Sequence, residues 1–184
     1  MRDHLANTLM ELCESKRLAD ITMTDVIRRA KVAKQTFYNH FADVNDLICY
    51  AASKPLIAGA FPGSENSLQA LKESLRHPDF FCQLGTLRGQ NNYWGSYQRW
   101  CRDYFLELCG LADTAAQRDE KGQLGALSIE LWVGGTVEML KAWYSRRMPE
   151  PAEVVMRAIS NATPRVVADN MRKARPVAEG DYPR

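Results

Sequence analysis

The stretch "VAKQTFYNHF", residues 32–41, sets Phe37 and Phe41 four residues apart and surrounds them with Lys34, Gln35, Thr36, Tyr38, Asn39 and His40. Apolar residues at i and i+4 share one helical face, so Val32, Phe37 and Phe41 are expected to anchor a short helix from behind. The polar and cationic side chains then lie on or beside its outward face. Upstream, "TMTD" (22–25) has the form of a capping box, a hydroxyl for the first free amides with an acid three residues on. It predicts a helix over Met23 to Ala30 that buries Val26, Ile27 and Ala30. "KVAK" (31–34) then breaks the pattern. Further back, Leu5, Leu9 and Leu12 recur at i, i+4, i+7 and predict an amphipathic helix over residues 3–16, with Lys16 and Arg17 suited to its C-terminal end. A longer helix followed by two short ones, about three or four residues apart, is the helix-turn-helix arrangement.

Charge supports that reading locally rather than globally. The 184 residues carry 24 Lys and Arg against 22 Asp and Glu, a net charge of only +2. From Val26 to Ala42, however, Arg28, Arg29, Lys31 and Lys34 occur with no acid, which makes a small basic patch. Composition is that of an ordinary globular chain, 46% hydrophobic and 25% charged. No run approaches the roughly 18 apolar residues of a membrane span, and the start lacks the apolar core of a secretory signal. A cytoplasmic location is the expectation. Cys13, Cys49, Cys82, Cys101 and Cys109 are scattered singly, without metal-ligand spacing, and read as reduced packing residues.

The segment from Asp20 to Leu47, "DITMTDVIRRAKVAKQTFYNHFADVNDL", resembles the DNA-binding signature of the TetR (tetracycline repressor) family of bacterial transcriptional regulators, above all in "TFYNHF" followed by an acid-flanked "DL". The resemblance covers about the first quarter of the chain. It implies an all-α fold, with a helix-turn-helix DNA-binding domain of three helices over residues 1–46 and a helical ligand-binding and dimerisation domain over 47–174. By position, it makes Thr22 a cap that reaches a phosphate and puts Thr24 near the groove. Lys34, Gln35 and Thr36 become the base-facing set, Tyr38 and His40 bind phosphate, and Asn39 sits at the edge of the contact surface. Gln can pair bidentately with adenine, and Lys can donate to guanine O6 and N7. The implied partners are a palindromic operator in double-stranded DNA, a second copy of the chain, and a small-molecule effector that releases the DNA, as befits a repressor. No cofactor or metal is implied. Three positions depart from the family pattern. Lys31 replaces a turn glycine at a cost of roughly 1 kcal/mol if its φ is positive. Ala33 replaces a hydroxyl cap worth about 1 kcal/mol. Val44 stands where a phosphate-binding Lys is usual.

Beyond the head, residues 43–59 read as a helix burying Leu47, Ile48, Ala51 and Ala52, with Pro55 either kinking it or following its end near Ser53. "FPGSENS" (61–67) reads as a linker. Leu68, Leu71 and Leu75 mark a helix ending before Pro78, and another is expected from Asp79 to Arg88, closed by "GQNN" (89–92). "YWGSYQRWCRDYFLEL" (93–108) is an aromatic helix. Its Trp94, Tyr97, Trp100 and Tyr104 combine apolar bodies with polar handles and are candidate ligand-lining residues, plain core being the alternative. The longest helix is expected from about Gln123 to Tyr144. Gly134 and Gly135 together cost roughly 2 kcal/mol there, which argues for close approach of another helix, within the chain or across a dimer. A last helical region runs from Glu153 to about Lys173, interrupted by Pro164, and residues 175–184 form an expected disordered tail. Two other functions compete with a regulator. One is a chain of the same fold that has lost DNA binding and acts through protein contacts. The other is an enzyme, disfavoured because there is no H-E-x-x-H, phosphate-cradling glycine loop or G-x-S-x-G.

Overall fold

The computed structural model describes residues 1–58, 65–87, 93–113 and 118–171. Among them there are helices and turns but no strands, so the all-α reading holds. The expected tail, "GQNN" and the first four residues of the expected linker lie outside the described residues.

The head consists of α1 (Arg2–Leu12), a 3-10 turn (Leu18–Asp20), α2 (Met23–Ala30) and α3 (Lys34–Tyr38). Leu5 and Leu9 of α1, Val26 and Ala30 of α2, and Phe37 with Phe41 close a core from which water is nearly excluded. Val32 packs against it partly buried. α1 ends earlier than its leucine pattern implies. Lys16, expected to face the carbonyl end of that helix, instead forms an ion pair of 2.6 Å with Asp25. His4 ties the first two helices together, its Nε2 lying 3.0 Å from the Ala30 carbonyl.

α4 (Val44–Ala58) leaves the head and continues into the body as one helix. It does not stop near Ser53; residue 55 lies within it. Asp43 starts it by accepting the Asp46 amide at 2.8 Å, while the Asp46 carboxylate accepts the Ala42 amide at 3.0 Å. The first bond satisfies one of the free amides of the helix start, and the second holds the residue before the cap. The body adds α5 (Glu65–Ser74), α6 (Pro78–Thr86), α7 (Tyr93–Leu108), α8 (Glu120–Ser145), α9 (Ala152–Ala162) and α10 (Arg165–Met171). The last three residues of the expected linker therefore form the first turn of α5. Pro78 takes the first position of α6, where its missing N–H costs nothing.

α6 and α7 both pack on α8, and α5 lies against α4 and α9. Close helix approach within the chain falls at Gly85 of α6. A Cβ there would come within 2.8 Å of the Ser145 amide nitrogen and 3.0 Å of the Lys141 carbonyl oxygen. Gly134, by contrast, has only the flexible end of Gln98 at 3.5 Å, and Gly135 nothing described within 4 Å. Neither of those two glycines is explained by an intrachain contact among the described residues.

Candidate nucleic-acid interface and effector cavity

The α2–α3 unit is assembled by short-range bonds. Thr22 Oγ1 accepts the Asp25 amide at 3.3 Å, and Asp25 Oδ2 accepts the Thr22 amide at 2.9 Å, so the capping box is present. The Lys16 ammonium, then the Thr22 hydroxyl and amide, hold the Asp25 carboxyl well below the usual carboxylate range. α2 ends at Lys31, whose φ of 56° and ψ of 41° are left-handed, and whose N–H reaches the Ile27 carbonyl. A left-handed turn favours glycine because it crowds a Cβ, so the first departure is a real strain. Ala33 is the N-cap of α3 and offers no side-chain cap, as its identity dictates.

At about 100° per residue, Phe37 and Phe41 point one way, Gln35 and Asn39 almost opposite, and Lys34 with Tyr38 to one flank. Burial agrees: both phenylalanines are buried, while Lys34, Gln35, Tyr38, Asn39 and His40 are exposed. Thr36 is half-buried beside them, and Thr22 and Thr24 are exposed at the start of α2. Two interactions order the exposed set. Gln35 Nε2 donates to Asn39 Oδ1 at 3.0 Å. The Tyr38 ring packs edge-on against Phe37, with the Lys34 ammonium 5.8 Å from its centroid. The basic patch is partly neutralised: Arg28 pairs with Asp25 at 3.1 Å and Arg29 with Glu11 at 3.6 Å. Both arginines are largely exposed, and such pairs contribute little, so a phosphate can replace the acid cheaply. Of the eight residues expected at a DNA surface, seven are thus exposed and Thr36 is half-buried, two of them at the start of α2 and six on and just after α3.

The four aromatic candidates of α7 separate. Tyr97 lines an apolar cavity of about 30 Å³, together with Leu56, Cys101, Trp132 and Val137 among others. Its hydroxyl donates to the Leu56 carbonyl of α4 at 2.9 Å. Trp94 is buried with its indole N–H given to the Leu84 carbonyl at 2.9 Å, which is the core role. Trp100 and Tyr104 are half-buried and stack in a file with Tyr97, at centroid spacings of 6.4 and 5.4 Å. Burial pushes the Tyr97 hydroxyl well above its usual pKa and the Cys101 thiol up to about 12, so both stay neutral.

Two residues that the sequence did not single out matter here. Gln83 of α6 holds both ends of the turn after α1: its Oε1 accepts the Leu18 amide and its Nε2 donates to the Cys13 carbonyl at 3.0 Å. No local pattern announces a contact spanning 65 to 70 residues. Trp132 of α8 is buried, and its indole N–H has no acceptor among the described residues. It stands in the wall of the cavity and also lines a groove between α8 and α9. Among the described residues no cluster of His, Cys, Asp or Glu is arranged to hold a metal, and no helix is long and apolar enough to cross a membrane.

No family model matches the chain, and no curated protein matches it in sequence. In structure the chain is similar to the dihydroxyacetone kinase operon activator DhaS, with a TM-score of 0.61 and 15% sequence identity over 92% of this chain and 95% of that one. At that identity the likeness is one of fold. The chain therefore has the all-helical fold of a solved operon activator, the architecture that the TetR resemblance of its first quarter implies.

Proposed function

We propose that the protein is a transcriptional regulator that binds a palindromic DNA operator as a homodimer and responds to a small molecule. The observation that carries the reading is the division of α3. Phe37 and Phe41 are fixed in the core, and Lys34, Gln35, Tyr38, Asn39 and His40 stand together in solvent. A recognition helix needs rigid anchorage behind and donors for base edges and phosphates in front. The DhaS likeness supports the fold in which such a head operates.

One short helix reads few bases, so two heads related by a two-fold axis are needed for a specific site. α8 offers the surface for pairing. Leu124, Leu127 and Leu131 are 65%, 63% and 80% exposed at i, i+3, i+7. The groove beside them, about 560 Å³, runs along Ser128, Gly135 and Met139 to Ala158 and Ala162 of α9. Gly135 presents no side chain there, which suits close approach of a partner helix. Covering one such leucine is worth about 1.5–3 kcal/mol.

In this reading the Tyr97 cavity is where the effector enters. Its volume, about 30 Å³, obliges any effector to part the walls. Parting them at Tyr97 strains the bond to Leu56 on α4, the helix that enters the head. Such a ligand acts only through its preference for the parted state. Among the described residues the cavity wall carries no charged side chain, which suits an apolar effector, and an oxygen acceptor on it would satisfy the Trp132 indole. The reading is tested by selecting duplexes from a random pool with the purified chain. Recovery of a palindrome is expected; recovery of nothing but salt-sensitive background contradicts it and favours a protein partner instead.

A further inference from the structure

The Gln35–Asn39 bond constrains what Gln35 can read. Both side chains are exposed and, at about 100° per residue, lie almost opposite Phe37 and Phe41. The 3.0 Å bond runs from Gln35 Nε2 to Asn39 Oδ1 across one helical turn. A free glutamine amide carries two hydrogens and one carbonyl oxygen. It can give one hydrogen and take one, the complement of adenine N7 and N6–H. It can also turn and direct both hydrogens at guanine N7 and O6. Once Asn39 takes one hydrogen, a single donor and a single acceptor remain. That set fits adenine and sets an acceptor against guanine O6.

We propose that Asn39 is a positioning residue that restricts Gln35 to adenine, and that each half-site carries an A·T pair at the position Gln35 meets. The inference rests on the DNA-binding reading of the previous subsection. It assigns to Asn39 a part in specificity distinct from any contact of its own with the DNA. Holding Gln35 in place before binding also spares part of the rotamer entropy that a long side chain otherwise loses at the interface.

The test is selection from a random duplex pool with the full chain and with Gln35→Ala, Asn39→Ala and Asn39→Asp, followed by binding measurements on duplexes that differ only at the selected pair. The native chain is expected to prefer adenine over guanine there by at least about tenfold, the discrimination of a good bidentate contact. Gln35→Ala removes the preference at that symmetric position. Asn39→Ala admits guanine at the same position, reducing the ratio several-fold while other positions keep theirs. Asn39→Asp retains an acceptor for the Gln35 hydrogen, so it keeps the adenine preference although its charge weakens binding to every duplex alike. A uniform loss of affinity in Asn39→Ala with the preference intact overturns the inference. So does relaxation at a different position, which would make Asn39 a reader of its own base, and so does guanine at the Gln35 position in the native selection. In those three cases a palindrome is still recovered and the regulator reading stands. Failure of the native chain to select any sequence overturns both.

Discussion

Lys31 lies at φ 56° and ψ 41°, between α2 and α3, and is exposed. Holding a residue with a Cβ in that region costs about 1–2 kcal/mol. Replacing it with glycine removes the cost but adds about 0.5–1 kcal/mol of chain entropy lost on folding. The difference is a net stabilisation of about 0.5–1 kcal/mol. Lys31→Gly also deletes a positive charge near the carbonyl end of α2, so Lys31→Ala is the proper reference, since it removes the same charge and leaves the strain. Thermal unfolding of the two variants under identical buffer is the assay. In a chain of this size 1 kcal/mol moves the midpoint by roughly 2–4 °C, so the glycine variant is expected to melt about 2 °C above the alanine variant. Equal midpoints, or a higher one for alanine, would refute the argument and mean that the turn is not left-handed in solution.

Gly85→Ala forces a methyl group against the α8 backbone and is expected to destabilise the chain by about 1–3 kcal/mol, read from the urea midpoint. Burial pushes the thiols of Cys13 and Cys101 up to about 12 and that of Cys49 up to about 11. The thiolate is the nucleophile, so at neutral pH these three should alkylate slowly in the folded protein and rapidly in urea; fast labelling of folded Cys101 would contradict its placement. Because Asp25 is held below the usual carboxylate range, its contribution is present above the unfolded-state pKa of about 4 and is lost as pH falls through the folded one. The stability gap between the native chain and Asp25→Asn should accordingly shrink with acid below about pH 4. Leu131→Glu puts a charge on the most exposed leucine of α8 and should yield a folded monomer by light scattering, where the proposed pairing through α8 predicts a dimer for the native chain.

The head was legible because its determinants are local. Thr22 and Asp25 are three residues apart, Phe37 and Phe41 four, and each pair fixes a helix start or a buried face without reference to the rest of the chain. The departures at Lys31 and Ala33 could likewise be anticipated, since a positive φ and a missing hydroxyl follow from the turn they occupy. Elsewhere distance in sequence hid the answer. α1 stops at Leu12, Lys16 pairs with Asp25 and the following turn is clasped by Gln83, contacts that the leucine pattern does not contain. Close helix packing was expected at Gly134 and Gly135, but within the chain it falls at Gly85, whose partner backbone lies at Lys141 and Ser145. A glycine inside an apolar run gives no sign of which helix will cross it. The aromatic stripe of α7 is visible in its helical spacing. Only the fold decides that the Trp94 N–H is satisfied by Leu84 while Tyr97 faces a cavity and grips α4.

The most direct test of the central claim, that the outward face of α3 reads DNA, is a binding titration of the native chain. It compares the duplex the protein selects with a scrambled duplex of the same composition across a range of salt, and repeats both with Tyr38→Phe. The selected duplex is expected to bind about a thousandfold more tightly or better. Affinity for both duplexes should fall steeply with salt, and Tyr38→Phe should weaken both alike while the ratio survives. A ratio near one at every salt concentration would contradict the account and leave the exposed face of α3 as a surface for some other partner.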